Sequence, residues 1–150
     1  KSNDQIRTSI RRDSIGVVYQ YHHLLPEFSA LENVMLPQML RGIKKSDAEK
    51  KAKEILGYLG LAARIHHRPA ALSGGEQQRV AVARALVNSP AVIFADEPSG
   101  NLDSASAKAL HQLFFDLRKS MNQTFVIVTH NNELADMADR KLTIKDGVCL

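Results

Sequence analysis

The chain has 150 residues and a net charge of +4, and 44% of its residues are hydrophobic, which suits one globular domain with a core. No apolar run approaches the roughly 18 residues that a membrane-spanning helix needs, and the single Cys149 excludes an internal disulfide and suits a reducing cytosol. Lys and Arg are spread along the chain and only 5% of residues are aromatic, so we expect a solvated basic surface and no nucleic-acid partner.

The first predicted strand is the short apolar run at 15–19, which ends at Gln20. A loop follows, with a pair of adjacent histidines at 22–23, and a second such pair occurs at 66–67. Adjacent residues of an extended segment point in opposite directions, and no cysteine or carboxylate cluster stands beside either pair. We therefore expect no metal site at these histidines.

Two predicted helices come next, each opened by a capping-box pattern in which a Ser is followed three residues later by a Glu. The first begins after Ser29, and Pro37 should kink or break it before Gly42 ends it. The second box, at Ser46, opens a helix that ends near Gly60. Four apolar residues share one face of that second helix: Ala48, Ala52, Ile55 and Leu59.

A third capping box opens a helix that is suited to face an anion. Ser73 is the predicted N-cap, and Glu76 completes the box. Gly74 and Gly75 have no Cβ, so another molecule can approach their backbone closely. Free N–H groups and the helix dipole favour a phosphate at this point. The helix should run to the break at 88–90, with a buried face formed by Val80, Ala83 and Val87.

The second predicted strand, at 92–96, ends in two adjacent carboxylates, Asp96 and Glu97, as expected of a buried parallel strand with chemistry at its tip. A turn at 98–103 leads to a long amphipathic helix that begins at Ser104 and ends at about Met121. Its predicted buried stripe contains Ala107, Leu110, Phe114, Leu117 and Met121.

A third strand is predicted at 125–129, and it is followed directly by His130. A short helix should then hold Leu134 and Ala138. Two short strands, at 142–144 and around Val148, are predicted to flank a tight turn.

Polar side chains follow all three strands at the point where each strand ends: Gln20, then Asp96 with Glu97, then His130. If the strands are parallel neighbours, these side chains gather at one edge of the sheet. Open α/β sheets bind ligands at the carboxyl ends of their strands. The pattern therefore predicts a ligand site at this edge.

Five motifs resemble those of the ABC ATPase family and occur in the family's order. They are Gln20 after its strand, the LSGGE signature at 72–76, the Walker B strand with Asp96 and Glu97, the segment 99–103, and Thr129 with His130. The resemblance implies an α/β fold: the C-terminal part of a P-loop NTPase-like ABC ATPase domain, mostly parallel sheet with an inserted helical subdomain. Residues at about 27–90 would form the helical subdomain, whereas 14–26 and 91–150 would belong to the RecA-like core.

The family also requires a P-loop, and no G-x-x-x-x-G-K-[S/T] pattern occurs in these 150 residues. The resemblance thus implies that the P-loop lies upstream in a longer protein, and that the residues before the first strand form a short helix. We expect residues 1–150 alone to hydrolyse no ATP, and Mg-ATP turnover that Glu97→Gln abolishes would contradict this expectation.

The chemistry of phosphoryl transfer to water assigns roles to the strand-end residues. Asp96 is the expected partner of Mg²⁺, through water, and Gln20 can contact both the ion and the attacking water. Glu97 is placed to polarise that water, and His130 to donate to the γ-phosphate and steady Glu97. The alternatives are a salt-bridged surface acid for Glu97 and a structural role for His130.

By the family resemblance, Ser73, Gly74, Gly75 and Glu76 bind ATP in trans, so that the signature of one subunit covers the nucleotide of the other in a homodimer. Asp103 would lie at the dimer seam. It could equally be the N-cap of the following helix, or serve both purposes.

Details of the loops are similar to the bacterial subfamily that holds lipoprotein-releasing, macrolide-exporter and cell-division ATPases, and most similar to the first. These details lie at 19–26, 31–34, 95–103 and 145–147. The resemblance implies an ATPase on the cytoplasmic face of the inner membrane that drives permease subunits in lipoprotein release. A soluble ABC translation factor would carry two such modules. A chromosome-maintenance ATPase would have a long coiled coil before the signature. Here only about fifty residues separate Gln20 from Ser73, and they show no sustained heptad pattern.

Overall fold

The computed structural model describes residues 3–149, which form both helices and strands. The elements are α1 (Asp4–Ser14), β1 (Ile15–Tyr19), α2 (Ala30–Leu40), α3 (Lys45–Tyr58), α4 (Gly74–Leu86), β2 (Val92–Asp96), α5 (Ser104–Met121), β3 (Thr124–Val128), α6 (Asn132–Asp136), β4 (Ile144–Lys145) and β5 (Val148–Cys149). Two short 3₁₀ turns, Ala62–Arg64 and Pro69–Ala71, connect α3 to α4. The predicted α/β class is confirmed.

The main sheet contains three parallel strands in the order β1-β2-β3. Tyr19, Asp96 and Val128, the last residues of the three strands, are aligned across the sheet. This register confirms that the three strands end at one edge. The last two strands form a separate antiparallel hairpin, in which Asp146 (φ 51°) and Gly147 (φ 79°) provide the two positive φ angles of a type I′ turn.

The core lies between one face of the sheet and the helices. Val18 and Ile93 are completely buried there, and α4 packs on β1. The two elements approach so closely that a Cβ at Gly16 would lie 2.7 Å from the carbonyl oxygen of Ala85, so only glycine fits at this position. The opposite face of the sheet is apolar and partly exposed, as Phe94 (42% exposed) shows.

The helix α2 begins and ends as its sequence predicts. The Ser29 hydroxyl accepts the Glu32 N–H (3.2 Å), and the Glu32 carboxylate accepts the Ser29 N–H (2.8 Å), which completes the capping box. Gly42, with φ of 79°, follows the helix in the left-handed conformation. The helix continues through Pro37 to Leu40. Of the two predicted effects of Pro37, a kink or a break, the break is therefore wrong. The Gln38 side chain donates to the Val87 carbonyl (3.0 Å) and so joins the last turn of α2 to the residue that follows α4.

The start of α3 differs from its prediction. The helix begins at Lys45, with Lys44 as an N-cap that makes no side-chain hydrogen bond, so Ser46 lies inside the first turn. Glu49 pairs instead with Lys53 one turn later (2.6 Å). The predicted capping box at Ser46 is therefore wrong, although the predicted buried face of this helix is confirmed by Ala48, Ala52, Ile55 and Leu59.

The long helix α5 buries Leu110, Phe114 and Leu117 as predicted. Met121 is 42% exposed, because the helix ends there and the chain turns away at Asn122, whose φ is 51°. The prediction that Met121 belongs to the buried stripe is wrong. In the short helix α6, Leu134 is buried, whereas Ala138 lies beyond the end of the helix and is exposed.

Helices α2, α3 and α4 pack against one another within the region that the sequence assigned to a helical subdomain. The division of the chain into that subdomain and a core stays a prediction. Among residues 3–149, no helix has the length and apolar content needed to cross a membrane.

The two Ser-to-Ala replacements at the starts of α2 and α3 should differ in effect. We expect Ser29→Ala to lower the free energy of unfolding by about 1 kcal/mol, because it removes a formed cap. Ser46→Ala should change it by less than about 0.5 kcal/mol, because no cap is lost. Urea unfolding of both variants measures the difference, and equal losses would show that the box at Ser46 is formed.

Candidate active site

The predicted site residues that follow the three strands are brought together at one edge of the sheet. Gln20 comes directly after β1, Asp96 and Glu97 end and follow β2, and His130 lies two residues after β3. Asp96 is exposed, and its carboxylate makes no hydrogen bond or ion pair with residues 3–149. It is therefore free to bind a group that comes from solvent.

Glu97 is held firmly at the tip of β2. Its N–H donates to the Val128 carbonyl (2.9 Å), and its backbone has a positive φ of 43°, a conformation that costs a residue other than glycine about 1–3 kcal/mol. One carboxylate oxygen, Oε1, accepts the backbone N–H of His130 (2.9 Å) and lies 2.7 Å from its Nδ1. The other, Oε2, accepts a hydrogen bond only from the Thr129 hydroxyl (3.3 Å) among residues 3–149 and so keeps room for a water molecule.

The contact with Glu97 determines which protons His130 can use. An ionised carboxylate only accepts, so Nδ1 of His130 carries a proton. The side chain of His130 is 83% exposed, whereas that of Glu97 is 24% exposed. His130 therefore orients Glu97 in this structure, and it can donate to a phosphate through Nε2 when the ring carries both protons.

Gln20 contacts the turn that follows β2. Its Nε2 donates to Oδ1 of Asn101 (3.0 Å), while Nδ2 of Asn101 reaches the Gln20 carbonyl (3.5 Å). A Cβ at Gly100 would lie 2.7 Å from Nε2 of Gln20, so the turn forms a close wall beside the amide. The side-chain oxygen of Gln20 is left without a hydrogen bond from residues 3–149.

The signature segment forms the predicted capping box at the start of α4. The Ser73 hydroxyl accepts the Glu76 N–H (3.2 Å), and Glu76 accepts the Ser73 N–H (2.8 Å). This backbone N–H is the main reason that the pKa of Glu76 lies below its usual value, and Arg64 adds to the effect from 3.2 Å. The Glu76 carboxylate is thus committed to its own helix, whereas Ser73 and Gly74 are exposed.

The start of α4 lies against the start of α5. A Cβ at Gly75 would lie 3.2 Å from Oγ of Ser106, a residue that also binds Asp103. Asp103 is the N-cap of α5, since its Oδ1 accepts the N–H groups of Ala105 and Ser106 (both 3.0 Å). The Ser106 hydroxyl (2.6 Å) and N–H lower the pKa of Asp103. A cleft of about 210 Å³ lies between the two helices.

The free oxygens at the sheet edge fit a hydrated Mg²⁺ ion. Among residues 3–149, no three His, Cys, Asp or Glu side chains lie close enough to enclose a metal. Mg²⁺ does not require such an enclosure, since it keeps several waters and takes one or two protein oxygens together with phosphate oxygens. The unbonded oxygens of Asp96 and Gln20 match that requirement.

Several contacts near the site involve residues that the sequence did not single out. Gln78 is completely buried and donates to the Tyr19 and Pro98 carbonyls. His111, 4% exposed, lies 2.8 Å from the Ser99 hydroxyl, and burial lowers its pKa. Both are polar residues on helix faces whose partners are distant in sequence, so no local pattern indicates them.

Comparison with known proteins gives consistent matches. Residues 1–100 match the family described as ABC transporter. The chain is 58% identical over 148 residues to the lipoprotein-releasing system ATP-binding protein LolD of Cytophaga hutchinsonii, covering 99% of this chain and 68% of that protein. It is 59% identical over 145 residues to LolD of Rhodopseudomonas palustris, covering 97% and 62%. The chain therefore spans about two thirds of these relatives.

The fold is also similar to a solved structure. The dimeric ATP-binding cassette MJ0796, in a post-hydrolysis state bound to ADP and Pi, superposes with a TM-score of 0.83 at 40% identity. The match covers 98% of this chain and 65% of that one. Fold and sequence thus lead to the same family.

Gly100→Ala should displace Gln20 without unfolding the protein. The new Cβ would overlap the flexible end of the Gln20 side chain, which can move away, so we expect less than about 1 kcal/mol of lost stability. The side-chain amide signals of Gln20 and Asn101 should shift in NMR spectra. Gly57→Ala, inside α3 with open space around it, is the control and should stabilise by about 0.5–1 kcal/mol. Unchanged Gln20 signals in the Gly100 variant would contradict the geometry.

Proposed function

The chain belongs to the ABC transporter family, and from that premise we propose that it is part of the ATP-hydrolysing subunit of a bacterial lipoprotein-releasing transporter. The observation that carries this proposal is the grouping of Gln20, Asp96, Glu97 and His130 at one sheet edge. The relatives named lipoprotein-releasing ATP-binding proteins support the specific transporter.

In this proposal Glu97 polarises the water that attacks the γ-phosphate of ATP. Its Oε2 accepts only the long bond from Thr129 and retains a lone pair for that water, while His130 fixes the other oxygen. The proton that the water loses would pass to Glu97, and general-base assistance of this kind typically accelerates a reaction by about 10²–10⁴-fold.

Asp96 and Gln20 are the residues that would hold Mg²⁺ beside this water. When bound, the ion supplies positive charge that neutralises the phosphates. Asp96 offers a carboxylate with no other partner among residues 3–149, and Gln20 offers a neutral amide oxygen. Because Gln20 donates to Asn101 through its nitrogen, the amide is oriented so that its oxygen remains available.

The signature residues would bind ATP held by a second copy of the protein. Ser73, Gly74 and Gly75 present a helix start to solvent, and the 13-residue helix behind them favours an anion there. Glu76 keeps the cap in shape, and Asp103 holds the neighbouring helix start at the proposed seam. The dimeric state of the solved cassette supports a homodimer.

The partner at the inner membrane would be a permease, and a groove of about 470 Å³ offers a place for it to dock. Val17, Leu36 and Leu40 form an apolar floor between β1 and α2. Arg11, Arg12 and Arg84 lie at the same groove. This arrangement is complementary to an amphipathic helix with apolar and acidic side chains, which we propose is a cytoplasmic segment of the permease.

Glu97→Gln in the full-length protein, reconstituted with its permease in vesicles, should reduce ATP hydrolysis at least about a hundredfold, because the base is lost. ATP-dependent release of a fluorescent lipoprotein from the vesicles should stop as well. Glu49→Gln is the control, since Glu49 lies in an exposed pair with Lys53 and should leave both rates unchanged. Retained hydrolysis in the Glu97 variant would overturn the assignment of the base. ATP hydrolysis by the wild-type protein without release of the lipoprotein would instead overturn the choice of transporter.

Leu40→Asp should weaken binding to permease vesicles about tenfold, because it puts a charge into the apolar floor. Leu40 is 71% exposed, so folding and ATP binding should not change. Ile144→Asp, at a residue that is 74% exposed on the terminal hairpin, is the matched control. Equal binding by the two variants would exclude the groove as the docking site.

A further inference from the structure

Gln78, on α4, donates hydrogen bonds to both backbone segments next to the proposed catalytic residues. It is completely buried, although its side chain is polar. Its Nε2 donates to the Tyr19 carbonyl (3.0 Å) and to the Pro98 carbonyl (2.8 Å). Its Oε1 lies 2.8 Å from Nδ1 of His22.

These partners fix the orientation of the amide. Both carbonyl groups can only accept, so the nitrogen of Gln78 must face them and the oxygen must face the imidazole. His22 therefore carries a proton on Nδ1 and donates it to Gln78. Both N–H groups of the amide are used, and its oxygen is satisfied as well. A fully satisfied buried network of this kind favours a single arrangement of its members.

Two of the three partners of Gln78 lie directly beside proposed catalytic residues. Tyr19 directly precedes Gln20, and Pro98 directly follows Glu97. A second clamp lies on the same helix, where Arg84 donates to the carbonyls of His22 (2.8 Å) and His23 (2.7 Å). The segment after β1 is thus held twice by α4, whereas the turn after β2 is held by Gln78.

We propose that Gln78 is a positioning residue that sets the separation of Gln20 and Glu97 and joins both to the signature helix. The helix begins four residues earlier at Gly74, directly after its N-cap Ser73, so the surface proposed to bind ATP in trans and the proposed catalytic edge form one unit. The proposal rests on the proposed function, since it concerns the placement of Glu97. It adds a residue that contacts neither the nucleotide nor the attacking water.

Hydrogen exchange of the full-length protein tests the clamp without any reference to activity. In Gln78→Leu, the Tyr19 and Pro98 carbonyls and the His22 ring lose their hydrogen bonds. The hydrogen-bonded amides of the two segments, that of Leu25 after β1 and those of Glu97 and Gly100 after β2, should then exchange roughly tenfold faster. Arg84→Ala should affect only the first segment. Gln77→Leu is the matched control, because Gln77 donates only to the nearby Leu72 carbonyl (3.1 Å) and both segments should stay protected. Unchanged exchange in Gln78→Leu would overturn the proposal.

Kinetics of the same variants test positioning. Misplacement of Glu97 should lower kcat by about ten- to a hundredfold, while KM for ATP changes less than about twofold. Gln78→Glu keeps the shape of the side chain and provides a second variant if Gln78→Leu fails to fold. The introduced carboxyl donates only when protonated, and burial raises its pKa. Its kcat should therefore recover as the pH falls, relative to a wild-type profile, and the absence of any recovery would also contradict the proposal.

The two proposals fail in different ways. If Glu97→Gln retains ATP hydrolysis, the proposed role of Glu97 is wrong. The hydrogen-exchange experiment still decides whether Gln78 joins the two segments. If exchange rises in Gln78→Leu and kcat stays at the wild-type value, Gln78 is structural and the inference of positioning is wrong.

Discussion

The candidate site depends on one constraint, which is that the three parallel strands end at the same level. Tyr19, Asp96 and Val128 lie side by side, so the residues that follow them emerge at the same edge. A shift of one strand by a single residue would turn its side chains to the opposite face. Glu97 strengthens this alignment, because its N–H donates to the Val128 carbonyl at the end of β3 and its carboxylate accepts hydrogen bonds from Thr129 and His130, which follow β3.

The signature helix α4 depends on the same sheet. It approaches β1 so closely at Gly16 that no side chain fits, and its Gln78 and Arg84 donate to backbone carbonyls next to the sheet edge. The helix start proposed to face an anion, the proposed catalytic edge and the proposed permease groove therefore share one support. Arg84 illustrates this sharing, because it lies at the groove and also holds the His22 carbonyl, and its burial lowers its pKa.

Short-range patterns predicted most of the fold and of the site, since strand ends, the cap at Ser29 and the turn at Gly147 depend on neighbouring residues. Other features depend on tertiary contacts. Ser46 carries the same capping pattern as Ser29, but its helix starts at Lys45, two residues earlier than a cap at Ser46 would place it. Gln78 lies within a recognisable motif, yet two of its partners are 59 and 20 residues away, so only the folded chain reveals these contacts.

Paramagnetic relaxation tests most directly whether the nucleotide's metal ion binds at this edge. Mn²⁺ can replace Mg²⁺ with ATP bound to the full-length Glu97→Gln protein, and NMR then reports which side chains lie near the ion. The account predicts strong broadening of the Gln20 amide and the His130 ring. The Gln123 amide, which lies before β3 at the opposite end of the sheet, should be much less affected. Broadening that is centred on Gln123, or absent from Gln20 and His130, would contradict the assignment of the site.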